Sequence, residues 1–130
     1  MTVAWCFPDE HLAGAEAILD SLSQSAEAIA PSIWPFEVAN ALIIGERRNR
    51  ISVAQVTLLL RRLRDLPIAL DPARTENVFE RILPFARQEH LTEYDAAYLE
   101  LAIREGLPLA TLDADLRRAA RKAGISLVKM

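Results

Sequence analysis

Apolar residues recur at helical spacing over residues 12–22 (LAGAEAILDSL), with few breakers, and predict a first helix. The short apolar run AIAP at 28–31, closed by Pro31, reads as a buried strand. Ser32 can cap the helix that follows, with Pro35 in its first turn, and that helix is expected to run to about Arg48. Its row of Trp34, Val38, Ala41 and Leu42 has the spacing of a largely buried helix. Ser52 caps another, in which Val53, Val56, Leu59, Leu60, Leu63 and Leu66 recur every three or four residues until Asp65 and Pro67 end it. Ile68–Leu70 is a short strand. Residues 74–89 form a further helix that Pro84 should kink or split, because proline lacks an N–H and crowds the carbonyl four residues back. Thr92 caps a helix over Glu93–Glu105 that Gly106 stops. Leu107–Thr111 is a strand, Asp113–Lys122 a helix ended by Gly124, and Ile125–Val128 a last strand.

Helices thus alternate with short apolar strands, the pattern of an α/β domain whose parallel sheet is covered on both faces. Functional side chains in such sheets gather at the carboxyl ends of the strands. The 130 residues suit one domain with a core of its own, and no repeat or linker divides them. No apolar run approaches the ~18 residues of a membrane span and no basic-then-apolar leader opens the chain, so the expected location is the cytoplasm, with no membrane partner.

Candidate chemistry is narrow. Cys6 is the sole cysteine, which excludes an internal disulfide and a thiolate cluster, and His11 and His90 fall in no metal-ligand or catalytic pattern. With four glycines and no phosphate loop or nucleophile elbow, any reaction must be carried by carboxylates. The net charge of −3 gives no general affinity for nucleic acid. Its distribution matters more: Arg47, Arg48 and Arg50, then Arg61, Arg62 and Arg64, make the middle of the chain basic, either as plain solvated helix faces or as a surface for RNA or an acidic partner.

Four acids occupy unusual places. Glu37 lies in the first turn of an apolar helix, with Asn40 one turn later on a similar face. Asp95 follows Thr92 among small apolar residues, and Asp113 and Asp115 follow the strand at 107–111, more acids than a helix cap requires. Each has a plain structural role available, as a cap or a partner of the helix dipole. Converging carboxylates repel one another unless a cation lies among them, and oxygen donors suit Mg²⁺ or Mn²⁺ better than zinc. Such ions support in-line attack on a phosphodiester.

The segments WCFPDE, APSIWPFEVANAL, LTEYDAAYLELA and LPLATLDADLRRAA, in this order over nearly the whole chain, resemble PIN-domain toxins of the VapC type. The resemblance implies a three-layer α/β/α sandwich around a parallel sheet and an Mg²⁺- or Mn²⁺-dependent endoribonuclease. It also implies an RNA substrate, a cognate antitoxin and a homodimer. Carried over by position, it makes Glu37, Asp95 and Asp113 the catalytic and metal-holding acids, with Asp115 a further metal position and Asn40 and Thr111 in support. The alternative is a catalytically inactive PIN module that binds an antitoxin. A receiver-like phosphoacceptor domain is disfavoured, since it wants a strand-end lysine near the acids and the only lysines are Lys122 and Lys129. The resemblance departs at the start. Family members open on a strand ending in Asp, whereas MTVAWCFPDE begins beyond it, and Asp9 matches a later segment. The expectation is a single PIN domain over 1–130 whose first strand, and first acid, lie upstream of Met1.

Overall fold

The structure, a computed structural model, describes residues 20–22, 24 and 26–128. Cys6, Asp9, His11 and the expected helix over 12–22, as far as residue 19, lie outside the described residues; 20–22 and 24 are helical. The elements run β1 (Ala28–Pro31), α1 (Trp34–Arg47), α2 (Val53–Arg64), β2 (Ile68–Asp71), α3 (Thr75–Asn77), a π turn (Val78–Ile82), α4 (Leu83–Glu89), α5 (Glu93–Glu105) and α6 (Ala114–Lys122). Strands β1 and β2 pair as a two-stranded sheet. The architecture is mixed α/β with a parallel sheet and mostly helices, the class expected from the alternation. The chain divides into two compact units, the first containing Trp34–Ala69 and the second Ala30–Ile33 and the residues from Leu70 onward.

In the first unit, Val38 and Leu42 of α1 and Leu63 of α2 form a buried cluster that Trp34, Ile51, Val56, Leu59 and Leu66 surround. The five residues 48–52 reverse the chain between the two helices. Ser52 then closes a capping box: its Oγ accepts from the Gln55 N–H at 3.1 Å, and the Gln55 Oε1 accepts from the Ser52 N–H at 2.8 Å. Two orphan donors of the first turn are satisfied this way. One expectation needs correction here. Helix α1 buries only Val38, Leu42 and Gly45, so it is amphipathic rather than largely buried, and Phe36, Glu37, Ala39 and Asn40 are exposed. The predicted apolar row is real, but it occupies one face only.

The core of the second unit is built on α5 and α6. Leu99, Ala102, Leu109, Leu116, Ala119 and Ala120 form one cluster, and Ile82, Ala86 and Ala96 a second. Leu99, Ala96 and Ala120 are wholly buried, and the two alanines let backbones approach closely. The helical stretch before His90 is not split at Pro84: it runs without a break from 75 to 89, and the proline is accommodated by a π turn just ahead of it. The Leu83 N–H donates to the Val78 carbonyl five residues back, a π turn that widens the helix just before the proline ring. His90 takes a left-handed φ of 56° and ends α4. Gly106, at φ 64°, ends α5 in the conformation only glycine adopts freely.

The strands expected at 107–111 and 125–128 are reduced to a single parallel bridge, Leu109 with Leu127. The Leu109 N–H donates to the Ser126 carbonyl and the Val128 N–H to the Leu109 carbonyl, both at 2.9 Å. Pro108 has no N–H to donate, which interrupts the ladder on one side of that bridge.

Candidate active site

Asp95 stands in the first turn of α5. The Thr92 Oγ1 accepts from the Asp95 N–H at 3.1 Å, and Thr92 in turn hydrogen-bonds the Asp95 carboxylate, so one threonine both caps the helix and orients the acid. Asp113 is the residue before α6 rather than its first turn. Its Oδ2 accepts from the Leu116 N–H at 2.8 Å, while its own N–H donates to the Thr111 Oγ1 at 3.2 Å. Thr111 is buried, and its carbonyl accepts from Arg117 Nη1 at 3.0 Å, which fixes the turn that presents Asp113. The sequence reading left Asp113 either a cap or a site acid. It caps with one oxygen, which leaves the other for a second role.

These acids act on one another. Burial, then the negative charge of Asp113, and then that of Asp115 push the Asp95 carboxyl above the usual carboxylate range, while the hydrogen bond from Thr92 opposes them. Asp115 contributes to this field although it pairs with Arg118 at 2.7 Å, because both side chains of that pair are 64% exposed and water screens the cation. In the same turn of α5, both Glu93 carboxylate oxygens are buried with no hydrogen-bond partner among the described residues.

The donor chemistry fits a hard divalent cation: oxygen only and mutually repelling, with Asp95 half-buried and Asp113 exposed. Among the described residues, no three His, Cys, Asp or Glu side chains are grouped as a metal cage. The second unit therefore offers the pair Asp95 and Asp113. Mg²⁺ is commonly held through one or two carboxylates, with water and substrate phosphate completing its shell.

The remaining expected residues belong to the first unit. Glu37 is exposed in the first turn of α1, and Asn40 is exposed three residues later on the same side of the helix. Arg47, Arg48, Arg50 and Arg61 are all exposed. They do not form one patch. Arg50 precedes the start of α2 and Arg61 lies in its last turn, about 12 Å apart along the helix axis at ~1.5 Å per residue. The basic middle of the chain thus becomes two clusters at opposite ends of α2.

Sequence reasoning missed a partly buried ionic network in the second unit. Arg104 on α5 holds Asp71, the last residue of β2, through Nη1–Oδ1 at 3.2 Å and Nη2–Oδ2 at 2.8 Å. It also holds Glu100 through Nε–Oε1 at 2.9 Å and Nη2–Oε2 at 3.3 Å. Asn77 of α3 donates to Glu100 Oε2 at 3.4 Å. Hydrogen bonds to Asp71, and then to Glu100, raise the Arg104 pKa further. The i, i+4 spacing of Glu100 and Arg104 was a visible signal, but nothing in the sequence joined them to Asp71 or Asn77.

The PIN domain family matches residues 2–122 of the chain. The chain belongs to that family. It is 29% identical over 127 residues to ribonuclease VapC3 of Mycobacterium tuberculosis, in strain CDC 1551 / Oshkosh and in strain ATCC 25618 / H37Rv alike. The match takes in 86% of this chain and 88% of the relative, so the PIN resemblance holds along its length and places the protein among VapC-type nucleases. Among the described residues of this PIN protein, no helix is long and apolar enough to cross a membrane.

Proposed function

We propose that this PIN protein is an endoribonuclease that hydrolyses RNA phosphodiester bonds with Mg²⁺ or Mn²⁺ held at Asp95 and Asp113, and that a cognate antitoxin restrains it. The observation that carries this reading is the Asp95 carboxyl, pushed up by burial and by the negative charges of Asp113 and Asp115. A bound divalent ion would supply the positive charge and Lewis acidity that in-line attack on a phosphodiester needs. Asp95 and Asp113 would hold it, with Thr92 placing the first and Thr111 with Arg117 placing the second. Asp115, exposed beside them, adds negative charge and can hold a water in the outer shell. For Glu37 and its neighbour Asn40, the role of further acid and support rests on their match to the family's pattern.

A second reading is an inactive PIN module that binds an antitoxin, and the lack of a three-acid cage among the described residues favours it. RNA cleavage by the purified protein separates the two. The ribonuclease reading expects degradation of single-stranded RNA with Mn²⁺ or Mg²⁺ and none with EDTA. Intact RNA under all these conditions, in a protein that still binds its antitoxin, would leave only the second.

The arginine clusters are the proposed contacts for RNA phosphates or an acidic antitoxin segment. Charge reversal at Arg48 and Arg61 together is expected to weaken RNA binding by roughly 10-fold at moderate salt and to reduce the slope of log affinity against log salt by about 2. Fluorescence anisotropy across a salt series measures both, and an unchanged slope returns these arginines to plain solvated helix ends.

A further inference from the structure

We propose that Arg104 is a positioning residue for the carboxylate site: it sets the axial register of α5, and with it the separation of Asp95 from Asp113. This rests on the reading of those two acids as the metal-holding pair.

The contacts that hold α5 in its unit are of two kinds. Along most of its length the helix packs through Ala96, Leu99 and Ala102, which are small or aliphatic and wholly or almost wholly buried. Apolar contact is non-directional, and a face rich in alanine presents shallow ridges, so it resists separation much better than it resists sliding. Arg104 is different. Its guanidinium carries five N–H donors, and five contacts use them: two to Asp71, two to Glu100 and one, at 3.5 Å, to Glu105. A fork engaged on both edges tolerates displacement of only a few tenths of an ångström before bonds are lost.

The partners of that fork come from separate elements. Asp71 ends β2, Glu100 and Arg104 lie one turn apart on α5, and Asn77 ties the segment before the π turn to Glu100. The carboxylates are largely shielded, with side chains 19% and 11% exposed for Asp71 and Glu100. Asp71, Asn77 and Arg104 line an open cavity of about 440 Å³ together with Arg74, Glu80 and Arg81. A shielded network of this sort is poor evidence of net stabilisation, because desolvation offsets most of the attraction. What it supplies is directional constraint. Asp95 lies nine residues before Arg104 on one continuous helix, about 14 Å away at ~1.5 Å per residue. A helix of that length moves as a rod, so register fixed at its end is register fixed at Asp95.

The test compares the full chain with two variants, Asp71→Asn/Glu100→Gln/Arg104→Met and Arg104→Lys. The triple variant removes the charges but keeps the volume, and is expected to unfold within a few degrees of the wild type. Lysine keeps the charge but cannot hold two carboxylates along fixed edges. In both, Mn²⁺ affinity by titration calorimetry is expected to fall about 10-fold, the loss typical when the support of a metal ligand is removed. In metal-free protein, the amide resonances of Asp95, Ala96 and Leu116 are expected to shift or broaden, far from the substituted side chains. A merely structural network would move the unfolding temperature and only nearby resonances. If the triple variant fails to fold, Arg104→Lys carries the comparison. Wild-type Mn²⁺ affinity together with unmoved Asp95 and Ala96 resonances in a folded variant overturns the proposal. If the wild type binds no Mn²⁺, the metal-site reading fails by itself, and the metal-free resonances decide the positioning role.

Discussion

Asp95→Asn is expected to abolish metal-dependent RNA cleavage, a loss on the order of 100-fold or more, while making the metal-free protein more stable. Both effects follow from one charge. The native protein raises the Asp95 carboxyl above the usual range, through burial and the charges of Asp113 and Asp115, so the folded state binds a proton there more readily than the unfolded chain does. Between the ordinary carboxylate pKa and the raised one, native protein therefore holds more protons, and stability falls as pH rises through that window. Above the window the destabilisation is complete, and at neutral pH asparagine removes it. Asp95 is only partly buried, so screening limits the gain to about 0.5 kcal/mol, or ~2 °C in melting temperature. The difference should vanish in acid below the ordinary carboxylate range, where Asp95 is protonated in both states. Thermal melts in EDTA across pH, beside cleavage assays with Mn²⁺, measure the two effects. Asp113→Asn should reproduce the loss of cleavage without loss of the helix cap, since asparagine caps about as well as aspartate. Full cleavage by either variant removes these residues from the site.

Arg104→Ala should be the most destabilising single change in the second unit's polar network. It leaves Asp71 and Glu100 shielded from water, with no cation between them. Removing one partner of a buried pair costs ~3–5 kcal/mol, most of it the penalty of the charge left behind. Arg104 retains 30% of its side-chain exposure, and water reaching that edge lowers the expected cost to about 2–4 kcal/mol. Adding Asp71→Asn and Glu100→Gln to Arg104→Ala should recover much of the loss, because the stranded charges are then gone. Urea unfolding of the single and triple variants gives the comparison. A cost under about 1 kcal/mol for Arg104→Ala would show that solvent, not the fold, satisfies these carboxylates.

Local chemistry determined much of this protein. Pro31, Ser52, Thr92 and Gly106 mark element boundaries through constraints that act within a few residues, and the structure places a strand end, two helix caps and a left-handed helix end at those positions. Pro84 likewise marked a perturbed helix, which the structure accommodates with a π turn rather than a break. Asp95 and Asp113 could be singled out because they stand where a side chain faces a helix start or follows an apolar run, and the order of the four family segments identified the PIN domain. Tertiary structure decided the rest. Whether α1 was buried all round or on one face depends on what packs against it, and its sequence row could not tell. The strands at 107–111 and 125–128 shrank to one bridge; Pro108, which lacks an N–H, was a legible limit on the ladder, but the pairing of Leu109 with Leu127 was not. The two arginine groups already visible in the sequence were set at opposite ends of α2, because a helix separates its ends by its own length. The joining of Asp71, Asn77, Glu100 and Arg104 lay furthest from reach: sequence spacing reports neighbours on one helix, whereas a guanidinium's five donors are shared out among residues that only the folded chain brings together.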